Sequence, residues 1–193
     1  MTIDQRRETG TRESGIGQWG NQVSKAERHP DSLPENDFSN GKEVVIMKLG
    51  SPEYLEEIQK RTNADEEYRR LAADEHDSYT LVLQAEPQKG VNEDVVVGFR
   101  VDAGQITEIW QGERPTDFTL LGPYGVWVDI LRGKMGPTRA FTMRKLKVRG
   151  NFLKLLRGAD STNRWVQILQ TIPTEFEGEY AQYNLPGDEG NLL

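Results

Sequence analysis

The chain has 193 residues, 35% hydrophobic and 28% charged, with a formal charge of -7: enough for one domain with tails, and too acidic overall to favour a phosphate backbone. It holds no cysteine and two histidines, His29 and His76, which excludes disulfides, thiolate nucleophiles, Cys-based zinc sites and His-rich metal sites. No apolar run approaches the roughly 20 residues that span a bilayer, and the start, Met1 to Arg7, lacks the apolar core of a signal peptide, so the cytoplasm is the expected compartment.

Residues 1–42 read as a flexible N-terminal tail. Gly, Ser, Asn, Glu and Arg dominate there, and such a stretch buries too little to offset the entropy of ordering it. Trp19 and Phe38 are the two side chains that could dock. Residues 43–172 read as the folded domain. Val44 to Met47 is a short apolar run of strand type. Ser51-Pro52-Glu53 gives an N-cap, a proline at the first helical position and an acid in the first turn; Tyr54, Leu55 and Ile58 continue at helical spacing. Asn63-Ala64-Asp65 breaks that helix, and Glu66 to Asp74 forms a second with Tyr68, Leu71 and Ala72 on one side. At its end His76, between Glu75 and Asp77, is expected as a solvated C-terminal residue.

Tyr79, Leu81, Leu83 and Ala85 alternate with polar or smaller residues, so 79–85 is a strand. Asp94 to Val101 and Gln105 to Gln111 form a hairpin across Asp102-Ala103-Gly104. Asp117 to Leu121 is the next strand, and Gly122-Pro123 opens a helix carrying Tyr124, Trp127, Val128 and Leu131. Pro137 starts a short helix through Met143. Lys145-Leu146-Lys147-Val148-Arg149 alternates as a half-buried strand with a cationic face. Asn151 caps a helix through Arg157, closed by Gly158. Ser161 or Thr162 starts the last helix, with Trp165, Ile168, Leu169 and Ile172 in phase. Residues 173–193 form an acidic tail whose Phe176, Tyr180 and Tyr183 suit partial packing. The sum is an α+β fold: a five-stranded, mostly antiparallel sheet with helices on one face.

From Arg132 to Arg157 there are nine Lys or Arg and no acid, interleaved with Phe141, Met143, Leu146, Phe152, Leu153 and Leu156. A surface both basic and apolar suits an amphiphile, nucleic acid, or a plain half-buried strand and helix. The run lacks an interleaved aromatic stacking platform, and the net charge of -7 opposes a phosphate backbone, which argues against nucleic acid. Lys145, Lys147 and Arg149 also suit a solvated edge that discourages strand pairing. No Gly-rich phosphate loop, nucleophile elbow or metal-ligand spacing occurs, and nothing brings Asp94, Asp117 and Asp129 together as a catalytic pair. No enzyme activity, metal or cofactor is therefore expected.

Gly122-Pro123-Tyr124-Gly125-Val126-Trp127-Val128-Asp129-Ile130-Leu131-Arg132-Gly133-Lys134, then Ala140-Phe141, then Lys145-Leu146-Lys147-Val148-Arg149-Gly150-Asn151 resembles the sterol-carrier-protein type-2 domain. The hairpin from Val97 to Gly104 and Asp117-Phe118-Thr119-Leu120 are similar to the central strands of that family. The likeness covers roughly residues 50–172. It implies a mixed five-stranded sheet with helices over one face and an apolar tunnel between, and non-catalytic binding and transfer of a fatty acid, fatty acyl-CoA, sterol or phospholipid. The chain ends Gly190-Asn191-Leu192-Leu193 and not in a Ser-Lys-Leu peroxisomal address, so a fatty-acyl ligand stands beside sterol as the expected cargo.

Such a carrier needs a dry cavity and few polar anchors: burying a 16-carbon chain gives on the order of 13 kcal/mol gross at roughly 0.8 kcal/mol per CH₂, and association costs remove several kcal/mol of that. The expected lining is Trp110, Phe118, Trp127, Phe141, Met143, Phe152, Leu156, Trp165 and Leu169; each of these also suits a simple core. Arg144, Lys145, Lys147 and Arg149 are the expected contacts to a head group or, transiently, an anionic membrane. Two alternatives stand beside the carrier: an accessory module presenting or sensing a lipid for a partner enzyme, and a protein-interaction domain without ligand.

Overall fold

The structure is a computed structural model and describes residues 45–186; the expected tail over residues 1–42, with Trp19 and Phe38, and the end of the acidic tail lie outside the described residues. A five-stranded mixed sheet runs in the order β4-β3-β2-β5-β6, from β2 (His76–Gln84), β3 (Val95–Asp102), β4 (Gln105–Gln111), β5 (Phe118–Pro123) and β6 (Lys147–Arg149). The β2–β5 pair is parallel; β2–β3, β3–β4 and β5–β6 are antiparallel. The helices are α1 (Pro52–Ala64), α2 (Glu66–Leu71), α3 (Tyr124–Leu131), α4 (Pro137–Thr142), α5 (Phe152–Arg157) and α6 (Ala159–Gln170). The core sits between them and one sheet face, which presents Leu81, Leu83, Val97, Phe99, Val101, Phe118 and Leu120.

Local chemistry sets the boundaries. Ser51 caps α1 by accepting from the Tyr54 N–H at 3.2 Å. Asp65 ends α1 in extended backbone and caps α2 by accepting from the Tyr68 N–H at 2.7 Å. The β3–β4 connection turns at Ala103 (φ 48°) and Gly104 (φ 75°), a two-residue primed turn; a Cβ on Gly104 would strike the backbone of Arg69. Asn63 clamps α1 to the sheet: its amide donates to the Ile106 carbonyl at 3.0 Å and its oxygen accepts the Ile106 N–H at 2.8 Å.

Three expectations are corrected. His76 begins β2 opposite Asp102, where its Nδ1 meets the Asp102 carboxylate, because the chain extends directly after Ala72 to Asp74. Gly158 closes α5 as expected, at φ -85°, and passes the chain directly into α6. The last helix accordingly starts at Ala159, and the Ser161 and Thr162 hydroxyls donate back to the Gly158 carbonyl at 2.9 Å each. The early apolar run contributes β1 (Met47–Lys48), which pairs in parallel with β7 (Thr174–Glu175) as a separate two-stranded sheet. Beyond β7, Phe176 is buried, and a 3-10 turn, Gly178–Tyr183, sets Tyr183 under the Arg132 guanidinium at 3.7 Å.

Asp65 also pairs with Arg164 of α6, at 2.6 and 3.1 Å, and this guanidinium holds its carboxyl below the ordinary aspartate value. A depressed carboxyl stabilises the fold above its unfolded pKa and loses that contribution as pH falls through its folded value. Asp65→Ala removes a cap and a partly buried pair, and should cost about 2 kcal/mol at pH 7. In denaturant titrations the deficit against the wild type should shrink as pH drops below 3.8, the ordinary value. A deficit independent of pH would leave only the loss of the cap.

Candidate functional site

Between the helices and the sheet lies a cavity of about 50 Å³. Its floor is Leu81 and Leu83 of β2, Val97 and Phe99 of β3 and Ile109 of β4; its roof is Tyr54, Leu55 and Ile58 of α1, Trp127, Ile130 and Leu131 of α3, and Trp165, Val166 and Leu169 of α6. Among the described residues no charged side chain lines it. Strand alternation puts the floor residues on one face, and helical spacing aims the roof residues down at them.

An aromatic row crosses the floor. Phe118 stacks on Tyr79 at 5.2 Å between ring centroids, Tyr79 on Phe99 at 5.0 Å, and Phe99 packs against Trp165 at 4.8 Å. Phe99 and Trp165 belong to the apolar cavity. Tyr79 and Phe118 belong to a second, polar hollow of about 460 Å³, which also has Glu75, Asp77, Lys154, Arg157 and Ser161 in its wall. Burial pushes the Glu75 carboxyl up; it accepts from the Tyr79 hydroxyl at 2.6 Å. Asp77 holds Lys154 in an ion pair.

Of the nine expected lining residues, the structure brings Trp127, Trp165 and Leu169 to the apolar cavity. Trp110 lies on the opposite sheet face: it faces Gly98 across β3–β4, fills the space where a Cβ would stand, and is covered by the Arg114 guanidinium. Phe118 is buried in the polar hollow's wall. Phe141 packs half-buried at the core's margin. Met143, Phe152 and Leu156 point to solvent, at 50%, 44% and 40% exposure, beside Leu153 at 68%. Helix α5 turns only Leu155 inward, so its other leucines and its phenylalanine cannot reach the cavity. The sequence reading missed the floor and the α1 contribution, although the alternation in 79–85 and 95–101 carried the signal.

Arg144, Lys145, Lys147 and Arg149 are all exposed, and none of them pairs with an acid among the described residues. Lys147 and Arg149 flank half-buried Val148 on the edge strand β6. Arg144 ends α4 in left-handed backbone, φ 56°. Asp94 and Asp117 are backbone caps: Asp94 accepts the Ala85 N–H at 2.7 Å, and Asp117 the Ser78 N–H at 2.8 Å and hydroxyl at 2.6 Å. Among the described residues no group of three or more His, Asp or Glu is placed to hold a metal ion, and no helix is long and apolar enough to cross a membrane.

Comparison with known proteins agrees with this architecture. The family model described as the SCP-2 sterol transfer family matches residues 55–158, more than half of the chain. Among solved structures, a crystal structure of sterol carrier protein 2 superposes with a TM-score of 0.61 at 21% identity, covering 65% of this chain and 99% of that one. The solution structure of a conserved hypothetical protein from Thermus thermophilus, described as possibly a sterol carrier protein, gives 0.60 at 22% identity, covering 65% and 90%. No curated protein matches the chain.

Proposed function

Because the chain belongs to the SCP-2 sterol transfer family, a family of lipid-binding and lipid-transfer domains, we propose that it carries one long-chain lipid in the apolar cavity beneath α3 and α6 and performs no chemistry on it. The observation that carries this reading is the lining: side chains from both layers surround one space, none charged. Fatty acids, fatty acyl-CoA, sterols and phospholipids all present the apolar bulk that such a wall accepts.

At about 50 Å³ the space is far below the roughly 300–1,000 Å³ of ligand pockets. The protein takes up cargo by swelling: the roof moves off the sheet as the chain enters. Methylene burial at about 0.8 kcal/mol each supplies the driving force, and the loss of roof-to-floor contacts opposes it.

Cargo is exchanged at a bilayer. Met143, Phe152, Leu153 and Leu156 offer an apolar tip, and Arg144, Lys145, Lys147 and Arg149 lie close in sequence as exposed cations. Such a surface docks transiently on anionic lipid. Helix α5 leads through Gly158 directly into α6, which supplies Trp165, Val166 and Leu169 to the roof, so docking and opening share one segment.

A fluorescent fatty acid should bind saturably, near one per chain, and be displaced by long-chain lipids, with tryptophan emission changing in step. Failure of fatty acids, sterols and acyl-CoA alike to bind saturably would overturn the carrier reading. A stoichiometric protein partner and no lipid would favour the interaction module instead.

A further inference from the structure

Two helices of the cavity roof each bury an indole without a partner. Trp127 of α3 and Trp165 of α6 both line the apolar cavity, both are 8% exposed, and neither Nε1–H meets an acceptor among the described residues. The hydroxyl of Tyr54 in the same roof is also without a clear acceptor, but the Thr174 side chain stands beside it, which leaves the indoles as the two open donors. An indole N–H can only donate. Left unpaired in a dry wall it bears the full cost of its desolvation, whereas a phenylalanine would supply similar apolar surface without that cost. Neither N–H opens onto the closed cavity, whose surface is almost wholly apolar, so both come within reach of cargo only as the roof lifts. Two such donors in one roof are then a demand for acceptor atoms that the aliphatic and aromatic lining does not meet.

Resting on the carrier reading above, we infer that the cargo is a neutral oxygenated lipid, an acyl ester, whose carbonyl oxygen accepts from Trp127 and Trp165 when the roof lifts. A hydrocarbon leaves both donors unpaired. An ionised carboxylate taken to that depth finds no cation in the wall and loses its hydration without a charged partner. A carbonyl oxygen has two lone pairs, enough for both indoles. The indoles therefore set selectivity, and the aliphatic walls set affinity.

The test is displacement of a fluorescent fatty acid by methyl tetradecanoate and by heptadecane, equal in heavy atoms, with a long-chain alcohol and ionised tetradecanoate as further arms. The wild type should prefer the ester over the alkane by roughly three- to tenfold, the worth of one or two buried neutral hydrogen bonds. The double substitution Trp127→Phe and Trp165→Phe should bring the two to parity by weakening the ester alone, with each single variant between. Trp110→Phe removes an unpaired N–H on the opposite face and should keep the wild-type preference. Equal wild-type affinity for ester and alkane overturns the inference while leaving the carrier intact, and that comparison needs no variant to fold. A preference that survives the double substitution, or one for the carboxylate, also overturns it. A preference for the alcohol over the ester keeps the donors' role and overturns the ester as cargo. If no apolar ligand binds at all, the carrier reading itself falls.

Discussion

Phe99→Ala should cost the protein about 3–5 kcal/mol, the usual loss when a buried aromatic is truncated, and lower its Tm by roughly 10 °C, at about 2–4 °C per kcal/mol for a domain of this size. Phe99 is buried and holds the aromatic row together, between Tyr79 on one side and Trp165 on the other. It is also part of the cavity floor, so its removal enlarges the space a lipid must otherwise force open. Stability and binding should therefore diverge. The variant should be more strongly rescued by a fatty acid than the wild type, and ligand at 100 times its Kd returns about 2.7 kcal/mol. Phe118→Ala makes the decisive comparison. Phe118 is at least as buried and stacks in the same row, but it borders the polar hollow. It should lose comparable stability and gain no extra rescue. Thermal unfolding with and without a long-chain fatty acid reads both. Equal rescue of the two variants would mean that lipid does not enter over Phe99.

The divergence between these two phenylalanines also shows what the sequence could and could not say about the site. Periodicity identified the five strands of the sheet and the six helices, because apolar spacing of 2 and 3.6 is a local property. Caps were legible where the capping side chain sits beside the helix it caps, as at Ser51 and Asn151. They were illegible where it comes from elsewhere: α3 has no cap in its own sequence, and the Glu86 carboxylate, 39 residues away, accepts the Gly125 N–H at 2.7 Å. Gly158 closes α5 without left-handed backbone, while Arg144 takes a left-handed turn after α4, a geometry that composition did not announce.

Membership in the cavity is a question of which face and which depth, and apolar character alone answers neither. Trp110 and Ile109 are neighbours in β4, yet the pleat sends Ile109 to the floor and Trp110 to the far side. Phe152, Leu153 and Leu156 have the composition of a lining and the exposure of a docking tip. The large apolar residues of the basic segment are thus divided: Leu146 and Leu155 are buried in the core, and the rest of α5 faces water.

That division makes the cationic segment testable apart from the cavity. Reversing Lys145, Lys147 and Arg149 to Glu should slow lipid transfer to anionic vesicles by about 100-fold. Each Lys or Arg near an anionic surface is worth about 1 kcal/mol, three are lost, and three acids add repulsion that solvent screens in part. All three side chains are exposed and unpaired among the described residues, so the change should leave the fold intact. The effect should shrink in high salt, where the Debye length falls to about 3 Å at 1 M, and should be small for vesicles of zwitterionic lipid. Replacing Phe152, Leu153 and Leu156 with Ser should instead slow transfer to both kinds of vesicle, since apolar insertion does not depend on surface charge. Neither set of changes should alter the equilibrium affinity for a soluble fatty acid, because none of these residues lines the cavity. Equal transfer rates for the charge-reversed and wild-type proteins would reduce Lys147 and Arg149 to the charged rim of an edge strand that discourages pairing. A parallel loss of soluble-ligand affinity would place those cations at the head group of the bound lipid, with the cavity mouth at β6.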